Sequence, residues 1–525
     1  MSSENDLYMK TFKDILITNA QLYPNRIAFV FKDRRYTFKE VNERVNSVIN
    51  ALFHMGVKKG DHVGILAYNC PQYFEAFALS KAGMVCVPLN FRLVGRELIY
   101  LVNNSEINTI IVSDDFIDLV NSIKKEVGGV KNLISLNNDA VGMKSYERLI
   151  KDHEPVEPAE PVYPEDDAII YYTSGTTGRS KGAVHTHKGI VAEINLPTKE
   201  LTFDDIALCV MPFFHYGSTA AYQFAVFKAG ATSVVLEKFD EAEVLKTIEK
   251  EKVTYTNIVP AMIIRLLDYP DLKKFDLSSL KTIGFTGALL PGDVMKRATI
   301  YFGRNIFHQE LGQTETGNLT LFKKDEYRIK GSAREIQRLE SAGRPVIEGE
   351  VIIMDKNGNE APRGKVGEIV SCSARNMRGY WNMQKETDET IRDGWLHTGD
   401  LGRMDEDGFI FIVDRKKDMI ISGGENIYSK EVEDVLYTHP AVLHAAVIGV
   451  PDEKWGEAVK AVLVLKHGVK ATEEEIIEYC KKDLAGYKKP RSVEFRDSLP
   501  MTGSGKIQKN RIREPYWKGY KKKVN

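Results

Sequence analysis

The 525-residue sequence contains few cysteines, and they are not placed for a metal site or a disulfide framework. The five cysteines are scattered without a CxxC pair, which is the spacing that structural zinc sites commonly use. Unpaired cysteines suit a reducing compartment, and we expect the protein in the cytoplasm. The amino terminus also lacks the apolar core of a secretory signal, which favours the same location.

An excess of charge of either sign is absent as well. The 72 basic and 73 acidic residues leave a formal net charge of -1, so electrostatics give no reason to propose nucleic acid or an anionic membrane as the main partner. No apolar run approaches the ~20 residues needed to span a bilayer, and the sequence has no internal repeat. Small-molecule partners are therefore favoured. Weak contact of the basic tail, Trp517 to Lys523, with a membrane surface and assembly as a homodimer are left open.

The sequence does contain an alternation of helical and strand patterns. A chain of 525 residues is too long for one core, and we expect at least two domains. The patterns predict a helix from Tyr36 to Met55 and strands from His62 to Leu66 and from Asn108 to Val112, which is typical of an α/β fold. Prolines recur among acidic residues from His153 to Asp167 and disfavour regular structure. We expect one subdomain to end there.

A loop rich in hydroxyls and glycines is the most informative stretch. Ala168 to Tyr172 is predicted to be a buried strand, and Thr173 to Gly178 follows it without an apolar side chain. Glycines let backbone N–H groups turn toward an anion, hydroxyls add donors, and Lys181 adds a mobile positive charge. The loop is not a Walker A motif, because no glycine-lysine pair has another glycine five residues before its own glycine. We expect it to bind a triphosphate; a flexible surface linker is the alternative.

Four further positions are candidates for chemistry. Glu315 is a hard oxygen ligand of the kind that Mg²⁺ prefers, and Asp400 can accept hydrogen bonds from both hydroxyls of a ribose. Lys506 lies on a glycine-flanked loop that can swing into a cleft. His215 lies in the aromatic segment Met211 to Gly217, for which burial in the core is the more common role. A solvated glutamate, a turn aspartate and an exposed lysine are the corresponding alternatives.

Four motifs, taken in order, resemble those of the adenylate-forming superfamily of acyl-CoA synthetases, peptide-synthetase adenylation domains and beetle luciferases: TSGTTGRSKG, GQTETG, GWLHTGD and LPMTGSGKI. The resemblance covers most of the chain and is strongest to AMP-forming acyl-CoA synthetases. Ser180 stands where that family usually has proline, and Leu311 where it usually has an aromatic residue. The resemblance implies an α/β fold: a large multi-subdomain amino-terminal domain of mixed sheets flanked by helices, residues 1–416, and a small mobile α+β carboxy-terminal domain, residues 417–525.

The resemblance also implies roles for individual residues. The implied catalytic residues are Lys506, Thr314, Glu315 and His215. The implied ATP- or AMP-binding residues are Thr173, Ser174, Gly175, Thr176, Thr177, Gly178, Lys181, Gly287, Ala288, Gln309, Glu310, Leu311, Thr314, Asp400, Arg415 and Lys506. The implied acyl pocket consists of Phe213, His215, Tyr216, Thr286, Gly287 and Gly312. The implied CoA-binding residues are Ser422, Gly423 and Gly424, the implied hinge is Lys417, and the implied metal ligands are Glu315 and Thr176.

The implied activity uses ATP, Mg²⁺ and coenzyme A to activate a carboxylic acid. The acid attacks the α-phosphate to give acyl-AMP and pyrophosphate, and the CoA thiol then attacks the activated carbonyl. We expect a medium- or long-chain fatty acid, with an aryl acid of the benzoate kind as the alternative. A stand-alone adenylation enzyme that loads a carrier protein, a luciferase-like oxygenase and a nucleotide-binding regulatory protein without catalysis are the other hypotheses.

Overall fold

The computed structural model describes most of the chain. The described residues are 9–137, 140–173, 180–196, 200–287, 290, 292–303, 305–327, 331–423, 425–501 and 507–520. Packing divides them into two compact units. Unit 1 contains the described residues up to 351 together with residues 371–396, and unit 2 contains residues 352–370 and the described residues from 397 onward.

The α-helices occur in both units and are numbered in chain order. They are α1 (Phe12–Leu22), α2 (Phe38–His54), α3 (Pro71–Phe77), α4 (Gly95–Asn104), α5 (Ile117–Ile123), α6 (Tyr146–Asp152), α7 (His187–Ile194), α8 (Phe224–Lys228), α9 (Glu241–Glu251), α10 (Pro260–Leu267), α11 (Gly292–Tyr301), α12 (Ala333–Arg338), α13 (Gln384–Thr390), α14 (Ser429–Tyr437), α15 (Glu473–Cys480) and α16 (Lys509–Arg513).

The strands are numbered in the same way. They are β1 (Ile27–Phe31), β2 (Arg34–Thr37), β3 (His62–Leu66), β4 (Val85–Pro88), β5 (Ile107–Val112), β6 (Asn132–Ser135), β7 (Lys144–Ser145), β8 (Asp167–Thr173), β9 (Lys181–Thr186), β10 (Ile206–Cys209), β11 (Thr232–Val235), β12 (Tyr255–Ile258), β13 (Thr282–Thr286), β14 (Phe307–Gln313), β15 (Gly317–Phe322), β16 (Arg344–Pro345), β17 (Val351–Met354), β18 (Val366–Ser371), β19 (Gly379–Tyr380), β20 (Ile391–Arg392), β21 (Trp395–Met404), β22 (Ile410–Arg415), β23 (Ile420–Ser422), β24 (Glu425–Ile427), β25 (Val442–Asp452), β26 (Gly456–Leu465) and β27 (Ser492–Phe495).

The larger sheet of unit 1 has its parallel strands in the middle and antiparallel pairs at both edges. Its order is β16-β15-β14-β13-β12-β10-β11-β1-β2. Helices α9, α10 and α11 bury their apolar sides in one core cluster with Ile258, Ile283, Phe285 and Phe307 of the sheet. Side chains alternate along a strand, so the strand residues directly next to these four face the opposite side of the sheet.

The second sheet of unit 1 has the order β19-β9-β8-β4-β3-β5-β6-β7. Strands β3 and β8 were predicted from buried apolar runs, and β3 has the predicted bounds. Residues 153–166 hold no helix or strand, as the prolines predict, but the sheet continues across them because Ile169 of β8 pairs with Cys86 of β4. The irregular segment is thus a connection within one sheet, and its role as a subdomain boundary stays a prediction.

Unit 2 contains a sheet of order β24-β23-β26-β25, with β27 parallel to β26. Helices α14 and α15 pack on it through buried aliphatic residues, among them Val432, Leu436 and Ile476. Helix α15 ends at Cys480. After Cys480 the N–H groups of residues 481–483 bond to carbonyls three residues back, so the α-helical pattern does not continue.

The other strands of unit 2 carry predicted nucleotide contacts. β22 pairs with β21, and β21 also neighbours β18. The predicted domain boundary at Lys417 differs from this division by packing, because residues 352–370 and 397–416 pack with unit 2. The predicted boundary depends on the assignment of Lys417 as a hinge, and this assignment stays a prediction. In the part of the chain that the structure describes, no helix is long and apolar enough to cross a membrane.

Candidate active site

The predicted phosphate loop is carried by a hairpin of β8 and β9. Tyr172 pairs with Gly182 and Thr173 with Lys181. Thr173 and Lys181 therefore lie side by side at the end of the hairpin that carries the loop. Strand β9 itself was not predicted. The loop residues Ser174, Gly175, Thr176, Thr177 and Gly178 lie outside the described residues.

Glu315 lies in the turn between β14 and β15, close to this hairpin. Its Oε1 accepts hydrogen bonds from Tyr380 Oη at 2.9 Å and from Thr173 Oγ1 at 3.4 Å. Its backbone oxygen accepts a hydrogen bond from the N–H of Met377 at 2.7 Å. The structure therefore brings Thr173, Lys181 and Glu315 together, although about 140 residues separate the hairpin from Glu315.

Tyr380 is the residue that connects this group, and sequence reasoning missed it. The Lys181 ammonium lies 4.7 Å from the centre of the Tyr380 ring, within the range of a cation–π contact. Burial raises the pKa of Tyr380, and the neighbouring Glu315 carboxylate raises it further, so the hydroxyl stays protonated and donates. Its position follows from β19, where Tyr380 pairs with Ala183 of β9. A two-residue strand carries no periodic signal that could have revealed this pairing.

Thr314 is held from the other side by a buried histidine that was also missed. His185 of β9 donates from Nε2 to the Thr314 carbonyl at 2.8 Å. Burial lowers the pKa of His185 to about 4, against a smaller opposing effect of this hydrogen bond. The ring is therefore neutral near pH 7, and its N–H goes to Thr314. This contact fixes the backbone next to Glu315.

The predicted acyl-pocket residues divide into buried and partly exposed groups. Phe213 and Tyr216 are buried, as the alternative of a core role for this segment requires, whereas His215 and Thr286 are partly buried. A Cβ placed on Gly217 would be 3.8 Å from Thr286 Cγ2, so the segment after His215 reaches the end of β13. Gly287 follows directly. Whether this group binds an acyl chain stays a prediction.

Gly312 is required by the backbone next to it. A Cβ at this position would come within 2.4 Å of the Gly317 carbonyl oxygen on the neighbouring strand, where β14 and β15 shift register between Leu311 and Gly312. This close approach of two backbones explains the glycine without a ligand. Its predicted role in the acyl pocket is not needed to account for it.

The predicted nucleotide contacts on β14 point to different sides of the sheet. Gln309 accepts a hydrogen bond from Tyr327 Oη at 3.0 Å, and alternation along β14 places Gln309 and Leu311 on the side opposite Glu310. Glu310 instead contacts Asn257, whose Nδ2 lies 3.4 Å from Glu310 Oε2. The structure thus separates Glu310 from its two sequence neighbours. Ala288 lies outside the described residues.

In unit 2, Asp400 and Arg415 form an ion pair. They pair across β21 and β22, and Arg415 Nε lies 2.6 Å from Asp400 Oδ1. Glu368, which sequence reasoning missed, anchors β21 next to Asp400 by accepting hydrogen bonds from the Gly399 N–H and Lys416 Nζ. Burial alone would raise the pKa of Glu368, but bonds from His397 and Lys416 lower it, so the anchor is ionised. The two residues predicted to contact the ribose are therefore held next to each other on paired strands.

The predicted hinge and CoA-binding residues are also in unit 2. Burial lowers the pKa of Lys417, and its carbonyl accepts a hydrogen bond from Arg513 Nη1 at 3.1 Å. Ser422 ends β23, and Gly423 lies in the turn to β24, against the ring of Trp455. Gly424 and Lys506 lie outside the described residues. The roles of these five predicted residues stay predictions.

The described residues contain no group of three or more histidine, cysteine, aspartate or glutamate side chains that could hold a metal ion. Glu315 fits a Mg²⁺ site, because its hydrogen-bond partners Tyr380 and Thr173 are neutral hydroxyls that leave the negative charge of the carboxylate uncompensated. Mg²⁺ characteristically uses one or two carboxylates and completes its shell with phosphate oxygens and water.

The structure places Thr173, Lys181 and the Glu315 carboxylate together in unit 1, and the same chain contains a smaller α+β unit. These features are typical of a nucleotide-dependent enzyme. Residues 16–381 match the AMP-binding enzyme family, and residues 431–506 match the AMP-binding enzyme C-terminal domain. The chain belongs to the AMP-binding enzyme family.

Relatives of known activity define the class further. The chain is 37% identical to a feruloyl-CoA synthase of an Amycolatopsis species, over 95% of this chain and 98% of the relative. It is 34% identical to a medium/long-chain-fatty-acid–CoA ligase of Mycobacterium tuberculosis, over 96% and 90% of the two chains. A solved structure of o-succinylbenzoate CoA synthetase from Bacillus subtilis, in complex with its acyl-adenylate intermediate, matches with a TM-score of 0.82 and 30% identity over 95% and 97% of the two chains. The protein is an acyl-CoA ligase of the AMP-forming type.

Proposed function

We propose that the protein joins a medium- or long-chain fatty acid to coenzyme A through an acyl-AMP intermediate. The observation that carries the proposal is the meeting of Thr173, Lys181 and Glu315 around Tyr380 at the mouth of one hairpin. A positive charge, hydroxyl donors and a carboxylate for a metal ion are the groups that a triphosphate needs. The 34% identity to a fatty-acid–CoA ligase supports the choice of acid.

In the first half-reaction, a carboxylate oxygen of the acid forms a bond to the α-phosphorus of ATP, and the bond from that phosphorus to the bridging oxygen breaks. Pyrophosphate leaves with the electron pair. Lys181 and the hydroxyl of Thr173 bind the phosphates, Thr314 contacts the α-phosphate, and Lys506 stabilises the charge that develops on its oxygens. The hydroxyl- and glycine-rich residues 174–178 supply further donors for the leaving pyrophosphate.

Glu315 and Thr176 hold Mg²⁺ in this proposal. The ion, when bound, neutralises charge on the phosphate oxygens. Tyr380 keeps the Glu315 carboxylate in place by donating to Oε1, and the N–H of Met377 holds the backbone of the same residue. Such fixed groups lose little freedom when the nucleotide arrives.

The proposal also assigns residues that contact the nucleoside. Asp400 accepts hydrogen bonds from the ribose hydroxyls, and Arg415, whose Nε also contacts Asp400, donates to the same sugar. Gly287, Ala288, Gln309 and Leu311 flank the base. Leu311 offers an aliphatic surface to the base, which is a weaker stacking partner than an aromatic ring.

In the second half-reaction, the thiolate sulfur of CoA attacks the acyl carbonyl, the thioester bond forms, and AMP leaves. Rotation about Lys417 removes Lys506 and brings Ser422, Gly423 and Gly424 to the pantetheine arm. His215 gates the acyl pocket next to the reacting carboxylate. A Lys417→Pro substitution would restrict this rotation and should slow thioester formation more than adenylation.

An aryl acid is the second candidate, and the 37% identity to a feruloyl-CoA synthase favours it. Pyrophosphate release, measured with acids of graded chain length and with benzoates, tests both. Release with fatty acids and formation of acyl-CoA on addition of free CoA would support the main proposal. Release that CoA does not convert to thioester would instead indicate a carrier-protein substrate, and no release with any acid would overturn the function.

A further inference from the structure

A buried polar cluster lies on the sheet directly beside the predicted acyl pocket. Asn257 of β12 pairs with Gly284 of β13, and Gly284 pairs with His308 of β14. Two residues further along the same strands, Thr286 pairs with Glu310. Paired residues of parallel strands point to the same side, so Asn257, His308 and Glu310 share the side of Thr286.

Gly284 leaves the space that these side chains occupy. A Cβ at this position would be 2.5 Å from His308 Nε2 and 3.2 Å from Asn257 Cγ, so no larger residue fits between them. His308 Nε2 lies 3.8 Å from Glu310 Oε1 and 3.3 Å from Tyr255 Oη. The opposite side of these strands is covered by α9, α10 and α11, so the cluster faces away from that apolar layer.

Asn257 carries the inference. It is 1% exposed, and its Nδ2 donates to Glu310. This orientation of the amide is fixed because a carboxylate accepts hydrogen bonds and the amide oxygen cannot donate one. Oδ1 therefore points elsewhere, and it is a buried atom without a hydrogen-bond partner. Buried polar atoms are nearly always satisfied, so a lone acceptor next to a binding pocket indicates a donor supplied by a ligand.

We propose that the acid used by this enzyme carries a hydrogen-bond donor, a hydroxyl or an amino group, which binds Asn257 Oδ1 beside Glu310. The proposal rests on the proposed ligase function and narrows its substrate. A plain alkyl end or an unsubstituted ring would leave Oδ1 unsatisfied in the complex. A site built to hydrogen-bond a substrate group discriminates strongly against the analogue that lacks it.

Matched pairs of acids test the proposal. Pyrophosphate release is measured with octanoate and 8-hydroxyoctanoate, dodecanoate and 12-hydroxydodecanoate, benzoate and 4-hydroxybenzoate, and cinnamate and 4-hydroxycinnamate. We expect kcat/KM to be at least about ten-fold higher for the donor-bearing member of the best pair, because one hydrogen bond in a buried site contributes on this order. 4-Aminobenzoate then distinguishes an amino from a hydroxyl donor.

Two variants connect the preference to the cluster. Asn257→Leu removes Oδ1 at nearly constant size and should bring the ratio of kcat/KM within the best pair close to one. Thr256→Val is the matched control. Thr256 directly precedes Asn257 on β12 and faces the other side, and the variant loses a buried hydroxyl that donates to the Leu208 carbonyl. It should change stability without changing the ratio. If Asn257→Leu does not fold, Glu310→Gln is used, which should lower the same ratio.

The outcomes are distinct. Equal or higher kcat/KM for the donor-free member of every pair overturns the inference and leaves the ligase function intact. An unchanged ratio in the folded variant likewise overturns it. If none of the acids causes pyrophosphate release, the proposed function itself is contradicted. A large ratio in the wild type that disappears in Asn257→Leu and persists in Thr256→Val supports the inference.

Discussion

The two carboxylates predicted to meet ATP are held in opposite ways. Glu315 of unit 1 accepts hydrogen bonds from two neutral hydroxyls, whereas Asp400 of unit 2 is 2.6 Å from the guanidinium of Arg415. Neutral donors orient a carboxylate and leave its charge available to a cation. A guanidinium offsets the charge of the carboxylate it contacts, which suits hydrogen bonding to an uncharged sugar. The partner of each carboxylate thus favours the ligand predicted for it.

Among the variants of these two carboxylates and their neighbours, the one that removes the charge of Glu315 should have the largest effect. Glu315→Gln should slow acyl-adenylate formation by about 10³, since a metal ion that neutralises phosphate charge contributes several kcal/mol. Pyrophosphate release at graded Mg²⁺ concentrations measures this loss. Glu326→Gln, a carboxylate of the same unit paired with Arg344, is the control and should keep the wild-type rate. Wild-type adenylation by Glu315→Gln would exclude this residue as the metal ligand.

Lys506 extends the comparison to the two half-reactions. Lys506→Ala should slow adenylation by about 10²–10³, the usual effect of losing one preorganised donor, because charge develops on the α-phosphate only in that step. Preformed acyl-adenylate with CoA should react at nearly the wild-type rate. Stopped-flow or quench measurements of each step separate the two.

The control for this experiment is Lys518→Ala, an exposed lysine of the same unit, which should affect neither step. A similar loss in both half-reactions of Lys506→Ala would indicate damage to unit 2 as a whole. No loss in either would mean that the lysine is an exposed side chain without a catalytic role.

Asp400→Asn should have a smaller effect that appears in nucleotide binding. A hydrogen bond to a charged group contributes about 1.5–3 kcal/mol, so the dissociation constant of ATP should rise about 10- to 100-fold. Calorimetric titration measures it. The Mg²⁺ dependence should stay unchanged, in contrast to Glu315→Gln. Asp434→Asn, which loses a surface ion pair with Lys430, is the control, and equal affinities of both variants would contradict the ribose assignment.

The smallest expected effect comes from Tyr380→Phe. The ring stays beneath Lys181, but Glu315 loses its closer hydroxyl donor, and the half-saturating Mg²⁺ concentration should rise about three- to ten-fold, equivalent to about 1 kcal/mol. Tyr172 lies on the same hairpin as Lys181, and its hydroxyl donates to Asn104. Tyr172→Phe removes this hydroxyl and should leave the Mg²⁺ dependence unchanged. The same shift in both variants would mean that the effect is one of hairpin stability.

Local patterns were sufficient for some of these features. The apolar run before Thr173 predicts β8, and the polar residues after it predict the loop, because both signals lie within a few residues. Asp400 and Arg415 pair across a hairpin whose turn contains Gly408, which is also a local signal. In these cases the residues that meet are close in sequence.

Other features depend on distant pairings that no local pattern contains. Tyr380 reaches Glu315 because β19 joins β9, and Asn257 reaches Glu310 because three parallel strands take a particular register. Parallel strands are joined by long crossovers, so register is set by packing of the whole sheet. For the same reason, the predicted acyl-pocket residues did not include Asn257 or His308.

The joining of β19 to β9 also has a consequence for biosynthesis. Tyr380 is made about 200 residues after its partner Ala183, which at ~5–20 residues per second corresponds to roughly 10–40 s of translation. During that interval Lys181 has no tyrosine ring to lie on, and the outer edge of β9 has no neighbour of its own chain. An open strand edge pairs readily with other chains. Until Gly379 and Tyr380 are made, the nascent chain therefore exposes a strand edge at the phosphate-loop hairpin that can pair with other chains.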